Sequence, residues 1–268
     1  MRCVARLLLV IALAVPAASQ GPLSRERQEQ LARDALNAYD QALAAAATEP
    51  AQADALYRAA IANYLTLRDS GLRSAALEYN LGNAYARLGD RGRAIAHYLL
   101  AQRLAPRDPH VAANRRYVAE GVEPQIEPAP AAQLADRLQV WRGVVARESL
   151  FGAAMLLSAA GWLALGLALF IRRQSLTFVG GALALLGTLL LVGVGRDILY
   201  DQQHPQIVIV DGAHTLRLGR GEGHDAALDT PLSPGVVGRV LQERGDWLEI
   251  QLDNGITGWI PAAAAFTL

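Results

Sequence analysis

The sequence predicts a multidomain chain: an all-α helical-repeat solenoid, a two-helix transmembrane hairpin and a small all-β barrel. Three observations carry that prediction. Leu150 to Ile171 and Leu176 to Gly195 contain no charged side chain, and each run meets the length of about 20 apolar residues that a helix needs to cross bilayer hydrocarbon. Residues 24–120 are rich in Ala, Leu, Arg and Gln, with breakers at Pro50, Gly71, Gly89 and Pro106, a pattern of helices joined by short turns. Residues 205–268 fall into short apolar runs separated by Gly, Pro, Asn and Asp, a pattern of strands and turns.

At the N-terminus, residues 1–19 have the form of a signal peptide. Arg2 and Arg6 make a positive start, Leu7 to Val15 is a short apolar core, and Pro16 to Ser19 offers small residues for cleavage after Ser19. The alternative is an uncleaved anchor. Cys3 is the only cysteine among the 268 residues, so a cleaved chain has neither a disulfide framework nor a thiol nucleophile. The 25 basic residues, all arginine, balance 25 acidic ones. That balance implies no strongly basic face for nucleic acid, and the scattering of the arginines reads as coding bias.

In the helical region Ser24 can cap a first helix running to Ala47, with Glu26 in its first turn, where the helix dipole favours an anion. Ala60 and Tyr64 recur as Ala94 and Tyr98, an offset of 34 residues. The stretch Tyr79 to Tyr85, then Gly89-Asp90, Ala94-Ile95, Tyr98, Ala101 and Pro106, resembles a tetratricopeptide repeat over its whole length. Small Gly82 and Ala94 let two helices approach, while Leu81, Tyr85, Ile95 and Tyr98 fill between them. Glu78 departs from the pattern, where the family often has a large aromatic. A preceding copy keeps its second helix but has Ala47 and Thr48 at the leucine and glycine positions. A helix from Asp108 to Val118 is expected to cap the stack, with Asn114, Arg115 and Arg116 on its outer face. The resemblance implies peptide or protein binding in a groove lined by first helices. Tyr79, Asn83 and Arg87, spaced i, i+4, i+8, are the candidate partner-binding residues; the alternative is a solvated helix face.

Residues 121–149 read as a Pro-rich linker followed by an amphipathic segment. Pro124, Pro128 and Pro130 favour extended backbone, and Trp141 suits a membrane interface. The transmembrane helices are placed at 150–171 and 176–195, with a cytoplasmic turn at 172–175. The alternative is a buried helix pair in a soluble core. Neither span carries an ionisable residue, which argues against an ion or proton pathway. Ala160, Ala164 and Ala168 share a face of the first, and Gly180, Ala184 and Thr188 a face of the second, suited to close packing of the two spans or to docking on another membrane protein. Arg172 and Arg173 favour a cytoplasmic turn, whereas Arg137, Arg142 and Arg147 argue the opposite. The signal decides: it delivers the helical region across the membrane, and two spans return the chain to that side. Both soluble parts are therefore expected to be extracytoplasmic.

In the last segment Asn254-Gly255 is a hairpin signal between alternating strands. Leu216-Arg217, Val240 to Trp247, Asp253-Asn254-Gly255 and Gly258-Trp259-Ile260-Pro261 resemble a bacterial SH3 domain over nearly the whole segment. Members of that family often bind peptides or cell-wall material. Trp247 and Trp259 are the large aromatics, with core or rim packing as their default role. Gly258 is read as a tight backbone turn. His214, Glu222, His224 and Asp225 are ligand types, but their spacing matches no compact metal motif. No phosphate loop, nucleophile elbow or H-E-x-x-H pair is present, so neither catalysis nor a cofactor is expected.

The order signal, tetratricopeptide repeats, Pro-rich linker, two spans and SH3-like barrel is similar to the BatE-type proteins of bacterial aerotolerance operons. Those are encoded beside von Willebrand A-domain membrane proteins and a MoxR-type ATPase. The resemblance implies a non-enzymatic scaffold in the bacterial inner membrane that recruits protein partners, A-domain proteins among them, in envelope or oxidative-stress tolerance. The alternative is a sensor that binds peptidoglycan through the barrel. An enzyme with an unrecognised site, supported only by the loop His214 to Asp225, ranks last.

Overall fold

The structure is a computed structural model that describes residues 23–130, 147–171 and 173–268. The expected signal peptide, most of the amphipathic segment and Arg172 lie outside the described residues.

Five helices come first: α1 (Arg25–Ala45), α2 (Pro50–Asp69), α3 (Ala75–Arg87), α4 (Arg91–Leu104) and α5 (Pro109–Ala119). Three start on side-chain caps: Ser24 accepts from the Arg27 amide, Asp90 from that of Arg93 and Asp108 from that of His110, which satisfies first-turn donors. Pro50 and Pro109 open their helices, where a missing N–H costs nothing. α1 pairs with α2 and α3 with α4, and α5 lies against α4. Ala60, Tyr64, Ala94 and Tyr98 are all buried. A Cβ on Gly82 would stand 2.6 Å from the Tyr98 ring, so only glycine admits that ring between α3 and α4.

The first pair departs from the expected copy. Ala47 and Thr48 are exposed in the turn after α1, and the contact with Ala60 and Tyr64 comes from Leu31 and Ala35. α1 and α2 have 21 and 20 residues against 13 and 14 in the second pair. The 34-residue spacing therefore relates second helices and not first ones. Of the three residues expected on the outer face of α5, Arg116 is exposed, whereas Asn114 and Arg115 are half-buried.

The last segment is one antiparallel sheet of β1 (Gln206–Ile209), β2 (Val237–Arg244), β3 (Trp247–Leu252), β4 (Thr257–Pro261) and β5 (Ala265–Thr267), in the order β4-β3-β2-β1-β5. Gly255, at φ +88°, makes the expected β3–β4 turn. The long connection from β1 to β2 folds back so that Arg217 bridges to Trp259 on β4. Ile207, Ile209, Leu216, Leu232, Ile250 and Ile260 are fully buried. Gly258 is not a turn but a β4 residue. A Cβ there would lie 2.6 Å from the Leu216 side chain, so its small size lets the long connection close over the sheet.

The helices and the sheet share a core. Ile95 and Ala96 of α4 and Val122 join one buried cluster with Ile207, Val208, Ile209, Val236 and Val240. A Cβ on Gly92 would stand 2.6 Å from the Ile209 carbonyl oxygen, so α4 and β1 meet backbone to backbone. Arg93 adds an ion pair to Asp211 at 3.0 Å. The segment after α5 is extended but tied down. The amide of Glu123 donates to Ser233 Oγ, its carbonyl accepts from the Ser233 amide, and the Ala129 amide donates to the Asp253 carbonyl. As far as residue 130 it is a strap across the sheet, not a free spacer.

Between strap and sheet come two apolar helices, α6 (Arg147–Ile171) and α7 (Gln174–Gln203), each long and apolar enough to cross a membrane. Only 22% and 17% of their apolar windows are buried, with Leu163, Phe170 and Phe178 among the exposed side chains. A soluble core helix would be covered. The contact face runs through Ala154, Gly161 and Ala168 on α6 and Gly180, Ala184 and Gly187 on α7. Ala160 and Thr188, expected there, are exposed; the neighbouring glycines take their place because they admit the partner backbone. α7 continues past the apolar run to Gln203, where Arg239 of β2 ties it to the sheet. The Arg239 guanidinium donates to Asp201 at 2.7 Å and to the His204 carbonyl at 3.0 Å, and lies 5.1 Å from the Tyr200 ring centre.

Candidate functional site

The three candidate residues on α3 do share a face, but they do not act alike. Tyr98 donates its hydroxyl proton to Asn83 Oδ1 at 2.8 Å, and Asn114 Nδ2 donates to the same oxygen at 2.9 Å and to the Tyr79 hydroxyl at 3.0 Å. Tyr79 and Asn83 are thus half-buried and hydrogen-bonded, linking α3, α4 and α5. Their first role is to join the second hairpin to the helix that follows it. Burial pushes the Tyr98 phenol above its ordinary range, with the Asn114 hydrogen bond opposing.

Arg87 is the exposed member. Its guanidinium lies beside the Tyr39 phenol, which raises its already high pKa. Tyr39 meets Tyr57 edge to face, ring centres 5.5 Å apart. Tyr57 is 2% exposed and its hydroxyl has no hydrogen-bond partner among the described residues; burial raises its pKa and the Arg87 charge partly offsets this. The exposed Arg87 guanidinium on α3 and the half-buried Tyr39 phenol on α1, seated on the buried Tyr57 ring of α2, therefore form a corner suited to an acceptor group on a bound chain. Sequence reasoning missed Tyr39, Tyr57 and Asn114. The available signal was chemical: a core tyrosine such as Tyr98 must find a partner for its hydroxyl.

The seam between helices and sheet opens into a cleft of about 710 Å³. Its walls carry Asp90, Arg91, Arg93, Glu123 and Asp211. Arg93 bridges Asp90 at 2.7 Å and Asp211 at 3.0 Å, so its charge is already balanced. Beneath the seam His97 Nδ1 lies 2.7 Å from Glu78 Oε2, both side chains almost fully buried. Tyr85 stacks on the His97 ring at 5.3 Å and Phe266 of β5 lies 5.7 Å away.

In the loop His214 to Asp225, His214 Nε2 lies 2.6 Å from the Asp211 carbonyl and Arg217 donates to the His224 carbonyl. Among the described residues no group of three or more His, Cys, Asp and Glu side chains could hold a metal ion. Trp259 is 9% exposed with the Arg220 guanidinium 5.8 Å from its ring, and Trp247 is half-buried. No family model matches the chain, and no curated protein and no solved structure matches it.

Proposed function

We propose that this chain is a non-enzymatic membrane-anchored scaffold whose helical stack, read as tetratricopeptide repeats, binds a protein partner outside the cytoplasm. The observation that carries the reading is the Arg87, Tyr39 and Tyr57 corner, an exposed cation set among phenols on a stack of helical hairpins. Support for the arrangement comes from the shared core. Helices that precede the two apolar helices pack on a sheet that follows them, and segments in contact must lie on one side of a membrane. With a signal at residues 1–19 that side is extracytoplasmic, and the membrane is the bacterial inner membrane.

In this reading the partner is a von Willebrand A-domain membrane protein, and the assembly is the stress-tolerance complex of BatE-type proteins. The full chain, co-expressed with an A-domain membrane protein of the same genome and solubilised from membranes, should retain it. Arg87→Glu should cut retention about tenfold, the effect of reversing one charge-assisted contact. Retention that survives Arg87→Glu, or never occurs, counts against the reading. The alternative places binding on the sheet, read as an SH3-like barrel, with Arg220, Trp259 and Trp247 facing peptidoglycan. Co-sedimentation of the solubilised chain with purified sacculi, lost on Arg220→Ala, would favour that alternative.

A further inference from the structure

A groove of about 730 Å³ runs along α7 from Leu186 to Gln203, about 26 Å at 1.5 Å per residue. Its chemistry changes along its length. The first half is walled by Leu186, Leu189 and Val194. Gly193 also lines it, and among the described residues nothing lies within 4 Å of where a Cβ would stand there. Just past the apolar run the rim carries Arg196, Asp197, Tyr200 and Gln203. Asp197 is already engaged in another interaction. Arg196 is exposed and forms no ion pair among the described residues.

We propose that this groove holds one phospholipid, an acyl chain along Leu186 to Val194 and the phosphate at Arg196. The inference rests on reading α6 and α7 as membrane spans. At membrane depth water is excluded, so a groove in an apolar helix surface must be filled by hydrocarbon. At the boundary the guanidinium, the Tyr200 hydroxyl and the Gln203 amide offer donors, and a phosphodiester is an acceptor with a negative charge that suits them. Free phosphate would leave the apolar half empty, and a neutral diacylglycerol would leave the arginine unmatched.

The test uses the full chain in detergent, with dioleoyl phosphatidylglycerol as the probe and dioleoylglycerol as the phosphate-free control, read by native mass spectrometry. One phospholipid per chain is expected, with the control retained about tenfold less. Arg196→Gln, which removes the charge, and Gly193→Leu, which puts a bulky side chain on the groove wall, should each lower retention about tenfold, the effect of losing one good contact. Equal retention of the two lipids, or retention unchanged in both variants, overturns the proposal. So does a cross-link from Leu189→Cys to Trp141→Cys without bound lipid, which would put residues 131–146 of this chain in the groove. Carbonate extraction separates the two failures: a chain released from membranes overturns the spanning reading itself, whereas one that stays embedded but lipid-free overturns only the lipid site.

Discussion

Glu78 sits where an apolar side chain would pack at no electrostatic cost, and His97 makes it tolerable. The two are 4% and 1% exposed at the side chain and 2.7 Å apart. Removing one partner strands a polar or charged group in the core, a loss of about 3–5 kcal/mol, whereas replacing both with apolar residues is often neutral. His97→Leu should therefore destabilise the chain far more than the double substitution Glu78→Leu with His97→Leu. Urea unfolding of the full chain in micelles checks this, and equal losses for the two would contradict it. Tyr64 makes a second prediction. Burial pushes its phenol from 10.0 up to about 12, with the Asn80 hydrogen bond opposing. Its stabilising contribution is complete below pH 10, the value in the unfolded chain, and is lost as pH rises towards 12. Between those values stability should fall by roughly 1.4 kcal/mol per pH unit from this group, and Tyr64→Phe should remove that share of the slope. A slope unchanged by the substitution would show that the phenol is not held neutral by folding. At this scale the sequence was legible where one residue had one job. Gly82 and Tyr98 lie in contact as their spacing implied, but Asn83 gave no sign that it would be bonded by Tyr98 and Asn114. A 31-residue separation between hydrogen-bonded amides leaves no local periodicity to read.

Helix α4 faces two ways, towards α3 through Ala94 and Tyr98 and towards the sheet through Ile95 and Ala96. A helix buried on more than one side shows no single apolar stripe. Gly92 sets how closely its first turn approaches β1. Gly92→Val would force a Cβ to within 2.6 Å of the Ile209 oxygen and 2.7 Å of the Val210 Cα, so the seam must open. The expected cost is about 1–3 kcal/mol, with faster proteolysis between residues 121 and 130 as the strap loosens. Limited proteolysis of the full chain measures it, and an unchanged cleavage rate would mean that the seam does not depend on that contact. The strap was legible as extended backbone from Pro124, Pro128 and Pro130. Its attachment was not, because the Glu123 and Ser233 partners are 110 residues apart.

For the whole molecule, the proposed membrane arrangement puts the helical stack and the sheet, which share a core, on one side. In a Cys3→Ala background, Tyr117→Cys, at a side chain 77% exposed, and a cysteine fused after Leu268 should both react with an impermeant maleimide added to spheroplasts. Labelling of one and not the other would break the shared-side arrangement. The sequence by itself determined the two apolar helices, the helical region before them and the strand-rich region after them. Charge-free runs, breaker spacing and Asn-Gly turns are local signals, and hydrophobic length and alternation act within a single element. Only the tertiary structure decided that α4, the strap and β1 build one core, that Arg239 fixes α7 to the sheet, and that Gly161 and Gly187 rather than Ala160 and Thr188 face the neighbouring apolar helix. Those outcomes depend on which atoms fit against which across a hundred residues or across two helix surfaces. Packing complementarity of that kind is settled by side-chain volume and direction in three dimensions, which no one-dimensional pattern encodes.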